Sequence, residues 1–208
     1  MTEKSLNIDG VEWEYETAGR GGGEAMLLFH GAVGGAESMR ALAEGFADEF
    51  RTIAPTVADV STLDEVCDAA SAILDREHVA RAHVFGGSFG GLVAQAFLRR
   101  RPAQVETLTL LSTGAPDRKT GARTSRMTKV VRLLPFPLTR ALLKMEMSRH
   151  LSTPAPPEAA ERVAESKRRL EDYFDRKLTK RTLLSRVELS LDFNLRETYA
   201  PADLGAWP

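Results

Sequence analysis

Cysteine is nearly absent from this sequence, and its scarcity excludes two kinds of protein. The chain has 208 residues and one cysteine, Cys67, so it forms no internal disulfide and offers no thiol cluster to a metal. We expect neither a metal site nor a cofactor. The spacing of Cys67 from its apolar neighbours fits the buried face of a helix, so we expect the thiol in the core; these neighbours are Leu63, Val66, Ala70, Ile73 and Leu74.

The sequence also lacks long apolar runs and an excess of either charge. The first residues, "MTEKSLNIDG", contain no apolar signal segment, and no stretch reaches the roughly 18 apolar residues of a membrane span. Twenty-eight Lys and Arg oppose 29 Asp and Glu, so no overall field attracts nucleic acid or an anionic membrane. We expect a cytoplasmic protein with no membrane span and no nucleic-acid partner.

One region departs from this charge balance. Between Arg118 and Arg149 there are many Lys and Arg residues, interleaved with apolar ones, and a single acid, Glu146. A basic amphipathic stretch of this kind can contact a membrane or an acidic partner. The alternative, which we favour, is a solvated helix face that covers an apolar pocket.

The first half of the chain alternates short apolar runs with helical patterns. Asp9-Gly10 joins two alternating segments and predicts a hairpin. The later alternation of strands and helices predicts a mostly parallel sheet with helices on both faces. The predicted strands cover 5–9, 12–18, 25–30, 50–55, 82–86 and 105–112, and the predicted helices cover about 37–48, 63–76 and 89–100.

After Ser112 the pattern changes to helices alone. Residues 116–199 contain about four helical patterns, with breaks at Pro135, at Pro137 and in the stretch "STPAPPE". We therefore divide the chain into a core over 1–115, a helical insertion over 116–199 and a return towards the core over 200–208.

The stretch "HVFGGSFGGLVAQAF" places one serine, Ser88, between a buried strand and an amphipathic helix. A serine on a very tight turn between strand and helix exposes its hydroxyl, but the turn crowds the residues two positions away on each side. Here those residues are Gly86 and Gly90, which gives the G-x-S-x-G arrangement of a nucleophile elbow. The glycines do not follow the G-x-G-x-x-G pattern of a dinucleotide site, and no Lys-Ser/Thr pair follows them as in a phosphate loop.

The segments "FHGAVGG" and "FGGSFGG" resemble those of the α/β-hydrolase fold superfamily, in its serine-nucleophile branch. The resemblance covers essentially the whole chain and implies roles for particular residues. Ser88 would be the nucleophile, the backbone N–H groups of Ala32 and Phe89 would form the oxyanion hole, and the helical insertion would be the cap. His30 would be a structural histidine that orients the oxyanion loop.

The rest of the catalytic triad departs from this pattern. The family's triad runs Ser, then Asp or Glu, then a His in a late loop, but only one of the four histidines, His150, follows Ser88. Asp117 occupies a position where some relatives carry the acid. An exposed histidine and a helix N-cap are the simpler interpretations of these two residues, although a rearranged triad of Ser88, Asp117 and His150 stays open.

The last residues, "YAPADLGAWP", resemble the link from the cap back into the sheet. We therefore expect the family's last two strands, late acid and catalytic histidine to lie beyond residue 208. Without them, the 208-residue chain would be inactive unless another histidine serves Ser88. The strand "VETLTLLS" would then form an uncovered apolar edge, which predicts self-association.

These observations favour a carboxylesterase-like serine hydrolase acting on a small apolar ester or related acyl compound. The apolar preference rests on cap residues that could equally pack against one another: Val130, Leu133, Leu134, Phe136, Leu142 and Leu143. The alternative is a non-catalytic binding or adaptor protein on the same fold. The short link "TVADVSTLDEV" supports that alternative, because it resembles the maspardin-like branch of the superfamily.

Overall fold

A computed structural model of the chain describes residues 1–19, 23–150 and 160–199. Six strands form one sheet in the order β1-β2-β4-β3-β5-β6. The pairs β3–β4, β3–β5 and β5–β6 are parallel, whereas β1–β2 and β2–β4 are antiparallel. The predicted fold class, a mostly parallel sheet preceded by an antiparallel hairpin, is confirmed.

The elements follow the predicted alternation closely. The strands are β1 (Thr2–Ile8), β2 (Val11–Ala18), β3 (Ala25–Phe29), β4 (Arg51–Pro55), β5 (Ala82–Gly87) and β6 (Val105–Leu111). The helices are α1 (Arg40–Gly45), α2 (Leu63–Arg76), α3 (Phe89–Arg100), α4 (Arg118–Leu133), α5 (Phe136–His150), α6 (Ala160–Asp172) and α7 (Lys180–Arg196).

Local sequence signals account for the two sharpest boundaries. Asp9 and Gly10 both have positive φ, 50° and 84°, which is the conformation of a two-residue hairpin turn that keeps Ile8 opposite Val11. Thr62 begins α2 with a capping box. Its hydroxyl accepts a hydrogen bond from the Glu65 N–H, and the Glu65 carboxylate accepts one from the Thr62 N–H.

The first helix is shorter than its pattern predicts. In place of one helix over 37–48, a 3₁₀ turn at Ala36–Met39 leads into the six residues of α1. Phe46, which the periodicity places on the buried face, is 37% exposed. Gly45 explains why α1 ends early, because glycine is about 1 kcal/mol less favourable than alanine in a helix. The six residues of α1 make few tertiary contacts that could offset this loss.

Within the described residues, four helices follow β6, the number of helical patterns that the sequence shows there. Pro135 separates α4 from α5, but Pro137 does not break a helix: it lies in the first turn of α5, where the missing N–H has no intrahelical acceptor. The predicted break "STPAPPE" and residues 200–208 lie outside the described residues. A π-helical turn at Tyr173–Lys177 connects α6 towards α7.

The burial of Cys67 and the exposure of the last strand both bear on expectations from the sequence. Cys67 is fully buried, and burial raises the pKa of its thiol to about 12. β6 is the last strand of the sheet within the described residues, and its Leu110 and Leu111 are 42% and 57% exposed. Across the described part of the chain, the helices are too short or too polar to span a bilayer.

Candidate active site

Ser88 lies between the carboxyl end of β5 and the first residue of α3. Its φ of 53° and ψ of −119° are a backbone conformation that serine rarely adopts. Its N–H donates to the carbonyl of Leu111 at the end of β6, over 2.9 Å, and its carbonyl accepts from the Gly91 N–H. The side chain is exposed, and its hydroxyl makes no hydrogen bond to any described residue. The turn therefore presents a free hydroxyl at the carboxyl edge of the sheet.

The glycines around Ser88 are required by close backbone contact. A Cβ on Gly90 would lie 2.1 Å from the carbonyl oxygen of Phe29, and a Cβ on Gly86 would lie 2.3 Å from the carbonyl oxygen of Gly90. Both distances are far below van der Waals contact. The elbow can therefore form only with these two positions empty of side chain.

His30 lies in the loop after β3 and is completely buried. One ring nitrogen, Nε2, accepts from the Val57 N–H over 3.0 Å, so the other, Nδ1, carries the proton and donates to the carbonyl of Gly31 over 2.7 Å. Burial, assisted by the charge of Arg186, lowers the pKa of His30 to about 3. The imidazole is thus neutral, with both nitrogens bonded to backbone, and orients the loop.

The two expected oxyanion donors lie next to these features. Phe89 is the first residue of α3, so its N–H belongs to the helix terminus that lacks intrahelical acceptors. Ala32 follows the Gly31 carbonyl that His30 holds. The positive end of the α3 dipole also favours negative charge beside Ser88.

Sequence reasoning missed Arg186 on α7. Its side chain is 1% exposed, and its guanidinium donates to the carbonyls of Ala32 and Gly34, each over 2.7 Å, and to that of Val57 over 3.4 Å. A signal was present in the sequence, because Arg186 shares helical spacing with three buried apolar residues of α7, Leu183, Leu189 and Phe193. A cation on an apolar helix face indicates a specific buried partner.

Gln95 was missed as well, and it ties the elbow helix to the loop after β6. Its side-chain amide is buried on α3 and donates to the carbonyls of Gly91 and Gly114, over 2.9 and 3.0 Å. Nothing in its local sequence marks it, because a single glutamine in a helix is ordinary.

The described histidine side chains do not include a base for Ser88. His83 is the second residue of β5, so it lies five residues, or roughly 16 Å of strand, from Ser88. It contacts Thr107 and Glu24 instead. His78 is exposed and precedes β5, and both nitrogens of His30 are engaged. His150 is the last residue of α5, and its side chain lies outside what the structure describes.

Asp117 caps a helix. Its carboxylate accepts from the N–H groups of Lys119 and Thr120 and from the Thr120 hydroxyl, at the start of α4. These bonds lower the pKa of the carboxyl, with the Thr120 hydroxyl the largest cause. The side chain is exposed. The arrangement is that of an ordinary N-cap.

The apolar residues predicted for the cap differ in burial, and Leu134 is half-buried. Phe136 and Leu143 pack with Tyr173 and Phe174, whereas Val130, Leu133 and Leu142 are between 46% and 86% exposed. A cleft of about 680 Å³ opens between the β1–β2 turn and the turn at Tyr173–Lys177. Ser88 does not line this cleft, so we do not assign it to acyl chemistry.

Comparison with known proteins places these features in a family context. A model of the family described as "Alpha/beta hydrolase family" matches residues 26–208. Among curated proteins, no sequence matches this chain.

Solved structures share the architecture at low sequence identity. A hydrolase from Pseudomonas aeruginosa is 21% identical over 99% of this chain and 77% of its own, with a TM-score of 0.74. The enol-lactonase from Burkholderia xenovorans is 17% identical over 93% and 75%, with a TM-score of 0.71. A thermophilic esterase from Thermogutta terrifontis is 19% identical over 94% and 73%, with a TM-score of 0.69. At these identities the similarity shows the fold alone.

Proposed function

The chain belongs to the alpha/beta hydrolase family, and on that premise we propose that it hydrolyses a small, largely apolar ester or related acyl compound through Ser88. The observation that carries the proposal is the backbone of Ser88, whose positive φ is stabilised by close glycine contacts and leaves its hydroxyl exposed. Such a costly conformation is expected where a side chain is held for chemistry. The esterase and the enol-lactonase among the similar structures support an acyl substrate.

The reaction would proceed through an acyl-enzyme. The Ser88 Oγ attacks the ester carbonyl while its proton passes to a base, and the carbonyl oxygen becomes an oxyanion. The N–H groups of Phe89 and Ala32 donate to that oxyanion, at the positive end of α3. Collapse expels the alcohol, which takes the proton from the base, and water then releases the acid from Ser88 by the same steps.

The base in this proposal is a histidine other than the three with described side chains. Two sources are compatible with the sequence: His150, or a histidine C-terminal to residue 208, as the family pattern implies. The helical segment over 116–199 would act as the cap, and its apolar residues Val130, Leu133 and Leu142 would favour an apolar acyl or alcohol group.

A second candidate is a non-catalytic binding or adaptor protein on the same fold. The placement of the histidines favours it, because His30 is fully bonded and His78 and His83 lie at or before the start of β5. Without a base, Ser88 would be a poor nucleophile at neutral pH. The short link before α2, similar to that of the maspardin-like branch, points in the same direction.

Turnover of p-nitrophenyl butyrate separates the two candidates. With His150 as the base, we expect the wild-type chain to hydrolyse it and Ser88→Ala to lose at least about a thousandfold in kcat, as when a nucleophile is removed from a triad. Ser112→Ala is the matched control, since Ser112 is also exposed with a positive φ, 50°, at the end of the neighbouring strand. Equal activity in wild type and Ser88→Ala would contradict the hydrolase proposal. Activity in neither would exclude His150 as the base and leave either a base C-terminal to residue 208 or the non-catalytic candidate.

A further inference from the structure

Arg186 is a buried cation that makes no direct ion pair with a described carboxylate, although the charges of Asp59 and Glu37 act on it from a longer distance. Its side chain is 1% exposed, and no described Asp or Glu oxygen lies within ion-pair distance of it. Burial lowers its pKa. Burying a charge without a direct ion-pair partner is unfavourable, and an apolar residue of similar size would fill the same space on α7 with less loss of stability. The position of this arginine therefore requires a reason beyond packing.

The partners of Arg186 supply that reason. Two of its three backbone acceptors, the carbonyls of Ala32 and Gly34, belong to the loop that follows β3, and the third is the carbonyl of Val57. The guanidinium carbon also lies over the ring of Tyr173, 5.7 Å from the ring centre, which is a cation–π contact. The planar guanidinium can bond several fixed carbonyls at once, which a lysine ammonium does less well.

His30 and Arg186 together fix both peptide units of Ala32. His30 holds the Gly31 carbonyl, and Arg186 holds the Ala32 carbonyl. In a trans peptide the N–H points opposite to the carbonyl, so holding the Gly31 oxygen sets the direction of the Ala32 N–H. Holding the next carbonyl prevents the Ala32 residue from rotating about its own φ and ψ.

The charge of Arg186 adds to its geometry. The guanidinium lies within hydrogen-bond distance of the Ala32 carbonyl, and its positive charge helps to lower the pKa of His30. The imidazole therefore stays neutral. Only a neutral imidazole can accept the Val57 N–H while donating to Gly31. The same field stabilises negative charge that develops near the loop.

We propose that Arg186 is a positioning residue that couples the helical segment to the oxyanion loop. It lies on α7, which packs against α4, and its neighbours on the same helix also bind the core: Ser185 donates to the Val60 carbonyl over 2.7 Å. A shift of α7 would therefore move the Ala32 peptide. The inference rests on the proposed function, because it concerns an oxyanion hole.

The test compares Arg186→Met, Arg186→Lys and Arg196→Met. Methionine keeps much of the apolar volume of Arg186 and removes its donors, lysine keeps the charge, and Arg196 is an exposed cation of the same helix that serves as control. With p-nitrophenyl butyrate as substrate, we expect Arg186→Met to lower kcat at least tenfold and to change KM by less than twofold. We expect Arg186→Lys to show a smaller loss of kcat, and Arg196→Met to have the kcat and KM of wild type. A kcat within twofold of wild type in Arg186→Met, or an effect confined to KM, would overturn the inference.

A second readout does not depend on activity. Hydrogen–deuterium exchange followed by mass spectrometry reports the amides of the peptides covering Gly31–Ala36 and Thr56–Val57. We expect these amides to exchange faster in Arg186→Met than in wild type, and to a smaller degree faster in Arg186→Lys. The lysine variant provides the comparison if the methionine variant does not fold. Unchanged exchange in the variants that fold would reject the positioning role. If wild type shows no turnover that depends on Ser88, the proposed function fails, while the exchange result still decides the role of Arg186.

Discussion

At the scale of single residues, the conformation of Ser88 depends on what its neighbours lack. The serine occupies a strained region of backbone space. The chain reaches it because Gly86 leaves room for the carbonyl of Gly90, and Gly90 leaves room for the carbonyl of Phe29. Gly91 is similarly confined, since a Cβ there would lie 2.4 Å from a methyl carbon of Thr113. The elbow therefore depends on residues 86–91 and on the strand ends that surround them.

Replacing Gly90 by alanine should destabilise the protein as a whole. The added Cβ would collide with the backbone of Phe29 and His30, which cannot move without disturbing β3. We expect Gly90→Ala to reduce the free energy of unfolding by at least about 2 kcal/mol. Urea denaturation measures this change.

Gly45→Ala is the matched control for that substitution. Gly45 lies at the end of α1 with no atom within 4 Å of an added Cβ and without a positive φ. Alanine there should stabilise the protein by up to about 1 kcal/mol, because it improves helix propensity. Similar effects of the two substitutions would contradict the close packing described for the elbow.

At the level of secondary-structure elements, substitutions of Asp117 distinguish a helix-capping role from a catalytic role. As an N-cap of α4, it can be replaced by asparagine, whose side-chain oxygen accepts the same N–H bonds. We expect Asp117→Asn to keep both the melting temperature and ester turnover, and Asp117→Ala to lower the melting temperature. Differential scanning calorimetry and the p-nitrophenyl assay measure the two effects.

A triad acid would behave differently at this position. Neutral asparagine cannot stabilise an imidazolium, so a catalytic Asp117 would lose most turnover on Asp117→Asn while keeping its melting temperature. That outcome would restore the rearranged triad with His150.

The elements that could be predicted from sequence are those with strong local signals. The hairpin turn at Asp9-Gly10, the capping box of Thr62 and the elbow at Ser88 each depend on residues within a few positions of one another. α1 was predicted too long because apolar periodicity alone does not reveal that its contacts are few. The elements thus follow from local chemistry wherever that chemistry is specific.

The contacts that complete the site could not be predicted in the same way. Arg186 is 154 residues from Ala32 along the chain, and Gln95 is 19 residues from Gly114. Such bonds depend on how α7 and α3 pack, which no short segment encodes. His30 could be predicted in part. Its sequence motif indicated a structural role, but its hydrogen bond from the Val57 N–H depends on the fold and could not be predicted from the motif.

At the scale of the whole molecule, the exposed edge of β6 has consequences for solution behaviour. Within the described residues β6 pairs with β5 alone, and Leu111 at its end is 57% exposed. Unpaired strand edges with apolar side chains promote association between chains. We expect the 208-residue chain to form dimers or larger species in sedimentation velocity experiments, and Leu111→Lys to shift it towards monomer.

A leucine of similar exposure on a helix provides the control. Leu138 on α5 is 48% exposed but offers no strand edge, so Leu138→Lys should leave the sedimentation profile unchanged. A wild-type chain that sediments as a single monomeric species would refute association through β6.

Covalent labelling with a serine-directed reagent shows whether Ser88 is the nucleophile without depending on the choice of ester. An alkyl fluorophosphonate reacts when the serine oxygen attacks phosphorus and fluoride leaves, forming a stable adduct that mass spectrometry can map to one peptide. We predict one adduct per chain, located on Ser88, absent from Ser88→Ala and retained in Ser112→Ala. Labelling at the same rate in Ser88→Ala, or an adduct on another residue of the wild-type chain, would contradict the assignment of Ser88 as the nucleophile.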